Sequence, residues 1–219
     1  MPKKESLTNK LRPYYPYVLP FAVFMILTEI GNWIPDAIYY IYPLKTLVTA
    51  GILLYYWKYY KELNLSWTGF ALFCGIAVFI IWVGIDDFYP KLSSGTSYNP
   101  YAFKSKRIAV WLIFNRMIGS VVIVPVMEEL FWRSFILRFL INQDFRKVPI
   151  GTFTWPSFII SSILFGTEHN RWLAGIIAGA IYNIVLYQRK ELSDCIAAHA
   201  ITNFLLGVFV VSSGCYEFW

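Results

Sequence analysis

The chain has 219 residues, of which 58% are hydrophobic and only 15% charged, with a mean hydropathy of +0.52. That balance excludes an ordinary soluble domain and points to the lipid bilayer. The net charge of +6 needs no nucleic acid to explain it, because lysines and arginines gather at the ends of apolar segments.

In chain order, the apolar segments are 17–34, 38–57, 67–85, 108–127, 130–141, 158–166, 172–187 and 195–211. Several approach the roughly 20 residues that a spanning helix requires, and the shorter ones read as buried or broken spans. Backbone groups must be satisfied internally in lipid, so these segments are expected to be helical. The expected fold is all-α: a polytopic integral membrane helical bundle of six to eight transmembrane helices. The first segment is too long and too aromatic for a cleaved signal peptide, and reads as a retained span. No internal repeat is evident and no appendage is long enough to fold alone. The chain therefore reads as one integral membrane domain over 1–219, with N-terminal spans and a loop at 1–107 and a core at 108–211.

Basic residues at Lys3, Lys4, Lys10 and Arg12, at Lys58 and Lys61, at Arg146 and Lys147, and at Arg189 and Lys190 mark cytoplasmic ends. This places a multi-pass chain in the cell (inner) membrane with its N-terminus in the cytoplasm. The polar stretch 86–107 then falls outside, against the rule, since it carries Lys91, Lys104, Lys106 and Arg107. Either that loop lies at the interface or the span count differs by one. Tyr14, Tyr15, Tyr17, Trp57, Tyr59, Tyr60, Trp67, Trp155 and Trp172 lie near segment ends, as interfacial aromatic belts do. Cys74, Cys195 and Cys215 are too few and too scattered for a disulfide framework or a Cys-x-x-Cys metal site.

Against this apolar background, three polar clusters stand out, because ionisable groups at bilayer depth survive mainly where they do a job. Glu128-Glu129 is followed by Arg133. On a helix Glu129 and Arg133 share a face as an ion pair, while Glu128 points about 100° away. Pro125 just upstream is expected to kink or start that helix. His169 closes Phe165-Gly166-Thr167-Glu168-His169, and His199 lies one turn before Asn203; these are the only histidines of the chain. The plain alternative is packing: a paired Glu and Arg fixing helices, and His and Asn as interhelical glue. Taken together, however, the groups suffice for hydrolysis by activated water. A carboxylate in low dielectric is a strong base, a histidine shares the proton, and neutral donors stabilise the oxyanion.

Glu-Glu-x-x-x-Arg, Phe-x-x-x-His and His-x-x-x-Asn, in that order in a multi-span chain, resemble the CAAX protease and bacteriocin-processing (CPBP, or Abi) family of glutamic intramembrane proteases. The resemblance covers roughly 108–211, and size and aromatic N-terminal spans are similar to the bacterial branch associated with exosortase systems. It implies an intramembrane endopeptidase acting on a membrane-associated protein or peptide, prenylated or not. It implies Glu128 as the water-activating base, His169 as its partner, His199 and Asn203 as oxyanion donors, and Glu129 and Arg133 as support. No cofactor is expected.

Two alternatives remain. A zinc metalloprotease could use the same histidines and glutamates, although His-Glu-x-x-His is absent and the ligands would come from separate helices. A non-catalytic membrane immunity, scaffold or transport protein could retain intramembrane acids, although no repeat symmetry supports transport. Ser157, Ser161 and Ser162 lack the context of an activated nucleophile. Asp194 reads as a helix N-cap and Cys195 as an inert buried thiol. Gly175-x-x-x-Gly179 is expected to pack one helix tightly on another within the chain.

Overall fold

The computed structural model of the protein describes residues 11–64, 66–92 and 97–219. Lys3, Lys4 and Lys10, used above to orient the chain, lie outside them. Among the described residues there is no strand, and seven longer helices follow one another. They are α1 (Tyr15–Trp33), α2 (Ile38–Tyr55), α3 (Gly69–Gly84), α4 (Lys106–Phe139), α5 (Trp155–Thr167), α6 (Trp172–Arg189) and α7 (Leu192–Ser213). Helices α2, α4 and α7 are long and apolar enough to cross a membrane, and α3 and α5 are shorter apolar helices. Leu47, Leu54 and Phe73 each expose about 70% of their surface. Large outward apolar side chains of this kind suit lipid tails rather than water. The protein is an integral membrane helical bundle.

Side-chain hydrogen bonds define two ends of the bundle. At one end Tyr14 Oη donates to the Gln143 carbonyl, Tyr60 Oη to the Pro16 carbonyl, and Glu62 pairs with Arg138. At the other, Arg171 pairs with Asp86 at 2.7 Å and donates to the Glu217 carbonyl, while Trp172 Nε1 donates to the Pro90 carbonyl.

The segments expected at 108–127 and 130–141 form one helix, α4, of 34 residues. Pro125 does not break it. π-Helical turns at Gly119–Ile123 and Leu130–Ile136 flank the proline and the two glutamates. A wider turn just before a proline relieves the clash of its ring with the preceding turn. Around the first π turn, side chains bond to backbone carbonyls. The Arg116 carbonyl accepts from Ser120 Oγ and Tyr42 Oη, and the Ser120 carbonyl accepts from Asn203 Nδ2 at 2.8 Å. The sequence places a helix here but not these turns, which depend on packing against α2 and α7.

Gly175-x-x-x-Gly179 packs α6 on α5 within the chain, as expected. A Cβ at 175 would lie 2.9 Å from the Gly166 Cα, and one at 179 would lie 3.2 Å from the Phe165 Cβ. Only residues without side chains allow so close an approach.

Two expectations are corrected. Asp194 is not the N-cap of its own helix, which is Glu191. Its Oδ1 instead accepts from the Thr68 backbone N–H at 2.7 Å and its Oδ2 pairs with Arg189 at 3.0 Å, so it fastens the start of α3 to α7. Trp57, Tyr59, Trp67 and Trp155 are more than half exposed, as belt residues are, but Tyr17 and Tyr60 are buried. They stack edge to face with centroids 5.6 Å apart and belong to the core between α1 and the segment that follows α2.

Candidate active site

Helix α4 carries Glu128, Glu129 and Arg133, the end of α5 carries Glu168 and His169, and α7 carries His199 and Asn203. Consecutive residues on a helix diverge by about 100°, so the two adjacent glutamates of α4 serve different neighbours. Glu129 is fully buried and bridges two helices. Its Oε1 lies 3.2 Å from Arg133 Nη1 and 2.9 Å from His199 Nδ1, and its Oε2 lies 3.1 Å from Arg133 Nε. Arg133, 1% exposed, also donates from Nη2 to the Gly179 carbonyl at 3.2 Å. Its guanidinium lies 4.4 Å above the Phe165 ring.

This frame fixes His199. Glu129 can only accept, so Nδ1 of His199 carries hydrogen and Nε2 faces the other way. The imidazole stacks on Tyr182 with centroids 5.1 Å apart, and Tyr182 Oη in turn bonds to Thr202 Oγ1 at 2.8 Å. Nε2 of His199 lies 3.9 Å from Glu128 Oε2. That Glu128 oxygen is buried and has no hydrogen-bond partner among the described residues. A buried acceptor without a donor is costly, which marks the position as one that serves a ligand or reaction.

His169 is held differently. Its Nδ1 lies 2.7 Å from the Phe165 carbonyl one turn earlier. A carbonyl only accepts, so Nδ1 is the protonated nitrogen and Nε2 keeps a free lone pair. The ring packs edge-on against Trp82 at 5.4 Å.

Glu128, His169, His199 and Asn203 all line one cavity of about 220 Å³ between the helices. The structure thus brings together side chains that are up to 75 residues apart in sequence. Asn203 uses its amide nitrogen on the Ser120 carbonyl, so one of its two N–H groups has a structural partner and the second is available to the cavity.

Sequence reasoning passed over Glu168. It follows the last turn of α5, so the chain bends there and presents residues 168 and 169 to the same side. Glu168 Oε1 accepts from Trp132 Nε1 at 3.0 Å, and its Oε2 is buried without a partner. Ligand atoms of Glu128, Glu168 and His169 lie within 4.8 Å of one another. The adjacency to His169 was the available signal, but only the end of the helix turns adjacency into proximity. The trio is spaced to hold a water molecule or a metal ion.

Helices outside the motif-bearing half also reach the cavity, through Phe24 of α1, Lys45 of α2 and Trp82 of α3. The serines proposed and set aside as nucleophiles pack instead: Ser161 and Ser162 Oγ both accept from Asn183 Nδ2.

Neither a curated protein nor a solved structure matches the chain. Residues 109–205 match the family model of Rce1-like type II CAAX prenyl endopeptidases, and this stretch spans the Glu-Glu-x-x-x-Arg, Phe-x-x-x-His and His-x-x-x-Asn residues. The helical core of this membrane protein, over residues 109–205, is therefore similar to the Rce1-like CAAX protease domain.

Proposed function

We propose that the protein is a glutamic intramembrane endopeptidase in which Glu128 and His169 activate a water molecule. The observation that carries the reading is the convergence of Glu128, His169, His199 and Asn203 on one cavity, with a Glu128 oxygen left without a partner among the described residues. In this mechanism the water gives a proton to Glu128 as its oxygen attacks the peptide carbonyl carbon. His199 Nε2 and Asn203 Nδ2 donate to the oxyanion. In this role His199 donates from Nε2 to the oxyanion and from Nδ1 to Glu129, which is itself held by Arg133. The proton on Glu128 passes to the leaving amine, through His169 or the neighbouring Glu168, as the C–N bond breaks. Glu168 adds a second carboxyl that stores a proton within reach.

The substrate is a membrane-associated peptide or protein; whether a prenyl group is read is a matter for substrate profiling. The chain folds as one unit, and basic residues at one end of the bundle (Arg12, Lys58, Lys61, Arg146, Arg189) favour a cell-membrane orientation with that end cytoplasmic. The cavity mouth, bordered by Asp86, Lys91 and Arg171, then opens on the opposite side.

Cleavage of a defined peptide mixture by the purified protein, followed by mass spectrometry, tests the reading; absence of any Glu128-dependent cleavage would overturn it. Asn203→Ala is expected to lower kcat by about 10²–10³-fold with little change in KM, because the donated hydrogen bond strengthens only in the transition state. It should also cost about 1 kcal/mol of stability through the lost Ser120 bond, so rates must be normalised to folded protein. Asn203→Asp should be at least as damaging, since a carboxylate can donate to neither partner. A purely thermal defect in both variants would return Asn203 to a packing role.

A metal-dependent reading draws on the spacing of Glu128, Glu168 and His169. The acid–base set suffices without a metal, so activity is expected to survive exhaustive treatment with EDTA and phenanthroline. Stoichiometric zinc by elemental analysis, with activity lost on its removal and restored on its return, would favour the metalloprotease instead.

A further inference from the structure

Lys45 and Arg116 line the catalytic cavity, but a separate gathering of basic side chains stands at the end of the bundle where Glu62 meets Arg138. There a second cavity, of about 690 Å³, is lined by Arg12, Lys58, Lys61, Arg138 and Arg146. Glu62 is the one carboxylate among its described lining residues. None of those residues borders the site of Glu128 or the void outside it. The cations come from separate stretches of chain. Arg12 precedes α1, and Lys58 and Lys61 lie on and just after the 3₁₀ turn Trp57–Tyr59 that follows α2. Arg138 belongs to the last turn of α4, and Arg146 to the 3₁₀ turn Phe145–Lys147 beyond it.

The negative charge inside the cavity is already committed. Glu62 Oε1 lies 3.4 Å from Arg138 Nη2 and accepts from Ser134 Oγ, so Glu62 and Arg138 match each other. Arg146 meets Asp144 at 3.9 Å, in an exposed and therefore weak pair that Asp144 shares with Lys147. Among the described residues, no carboxylate lies within 4.0 Å of Arg12, Lys58 or Lys61. Residues 1–10 carry Lys3, Lys4 and Lys10 against Glu5, which adds charge of the same sign. Cations held around one concavity repel one another, and an anion seated among them offsets that repulsion.

We infer that this cavity is a binding site for the phosphate of an anionic phospholipid headgroup. A guanidinium fork and lysine point charges are the donors that a phosphate takes, and the volume is that of an ordinary small-ligand pocket. The surroundings favour lipid over free phosphate. Trp57 and Tyr59, on either side of Lys58, are more than half exposed, as aromatic side chains at headgroup level are. Leu47 and Leu54 lie two turns apart on one face of α2, both strongly exposed, and Leu54 precedes Lys58 by four residues. Acyl chains thus have an apolar path from the cations along the span. Basic pockets between helices are where anionic headgroups settle, whereas scattered basic residues act only through net charge. Arg189 and Lys190 at the same end are of the scattered kind: they do not line the cavity, and Arg189 is held by Asp194 at 3.0 Å.

Native mass spectrometry of the full-length protein in dodecyl maltoside, titrated with phosphatidylglycerol or with phosphatidylcholine of the same chains, tests the site. Phosphatidylglycerol is expected to bind about ten-fold or more tightly than phosphatidylcholine. Lys58→Gln combined with Lys61→Gln should weaken phosphatidylglycerol about ten-fold or more and leave phosphatidylcholine unchanged, and Arg12→Gln alone should weaken it about five-fold. Lys147→Gln combined with Lys190→Gln removes the same charge at the same end but outside the cavity, and should change the affinity less than about two-fold. Equal losses in the two paired variants would reduce the effect to net charge and overturn the site. Equal binding of the two lipids by the unmodified protein would overturn it as well.

The source of the phosphate is read by competition at constant ionic strength. Millimolar inorganic phosphate and soluble glycerophosphoglycerol are each expected to leave bound phosphatidylglycerol in place. Full displacement by either would reassign the cavity to a soluble phosphate compound and overturn the lipid assignment. Arg12, Lys58 and Lys61 are exposed, so their variants should melt in lipid-free detergent at the temperature of the unmodified protein. No step requires cleavage, so the result stands apart from the endopeptidase reading.

Discussion

Glu128→Gln is expected to lower turnover by about 10²–10⁴-fold while leaving the melting temperature in detergent near that of the unmodified protein. Glutamine keeps the shape of the side chain and removes its ability to take a proton. The structural cost is small because Glu128 is not engaged in a close ion pair: among the described residues, the one basic group within 4.0 Å of it is His199, whose Nε2 is 3.9 Å away. Its Oε2 has no donor, so exchanging a buried unpaired carboxylate for a neutral amide leaves no new charge stranded. Single-turnover kinetics with the best peptide from the profiling mixture, normalised to folded protein, measure the effect. Wild-type turnover in the variant would remove Glu128 from the chemistry. A large loss of stability with proportionate loss of activity would instead make it a packing residue.

Much of this site is legible in the sequence because the background is so apolar. In segments of leucine, isoleucine and phenylalanine, a Glu-Glu pair, an arginine and two histidines are conspicuous. Helical spacing alone then links Glu129 to Arg133 and His199 to Asn203. The bridge from Glu129 to His199 is not legible, since it joins positions 70 residues apart and depends on how α4 meets α7. Glu168 has no helical-spacing partner or motif position to mark it; it acts because α5 ends just before it. Lys45 and Arg116 were hidden for another reason. Thr49 and Ser120 lie one turn after them, but neither spacing forms a motif, and only the cavity shows that the two cations stand together. The π turns of α4 follow the same logic, since a five-residue hydrogen-bond register leaves no periodic mark in so uniformly apolar a stretch. Asp194 illustrates the opposite error. Its place near a helix start suggested a cap, yet the N–H groups it satisfies belong mainly to the start of α3.

Arg133→Ala should produce the largest stability loss of any single change at the site, about 3–5 kcal/mol, equivalent to a fall in melting temperature on the order of 10 °C. Three supports disappear together. The contacts to both Glu129 oxygens go, the Gly179 carbonyl loses its Nη2 donor, and Phe165 and Tyr182 lose the cation that packs on their rings. Glu129, fully buried, is then left with His199 as its one close side-chain partner among the described residues. Arg133→Lys should recover little, because an ammonium cannot span Glu129 and the Gly179 carbonyl in one plane. The informative comparison is Arg133→Met combined with Glu129→Gln. If the penalty of the single change is an uncompensated charge, removing that charge restores most of the lost stability. Activity should not return with it, since the doubly substituted protein lacks the carboxylate that holds and orients His199 through Nδ1. Stability restored without turnover would separate the two duties of the Glu129–Arg133 pair. A double variant as unstable as Arg133→Ala would show that the arginine acts through packing and the Gly179 carbonyl rather than through its charge.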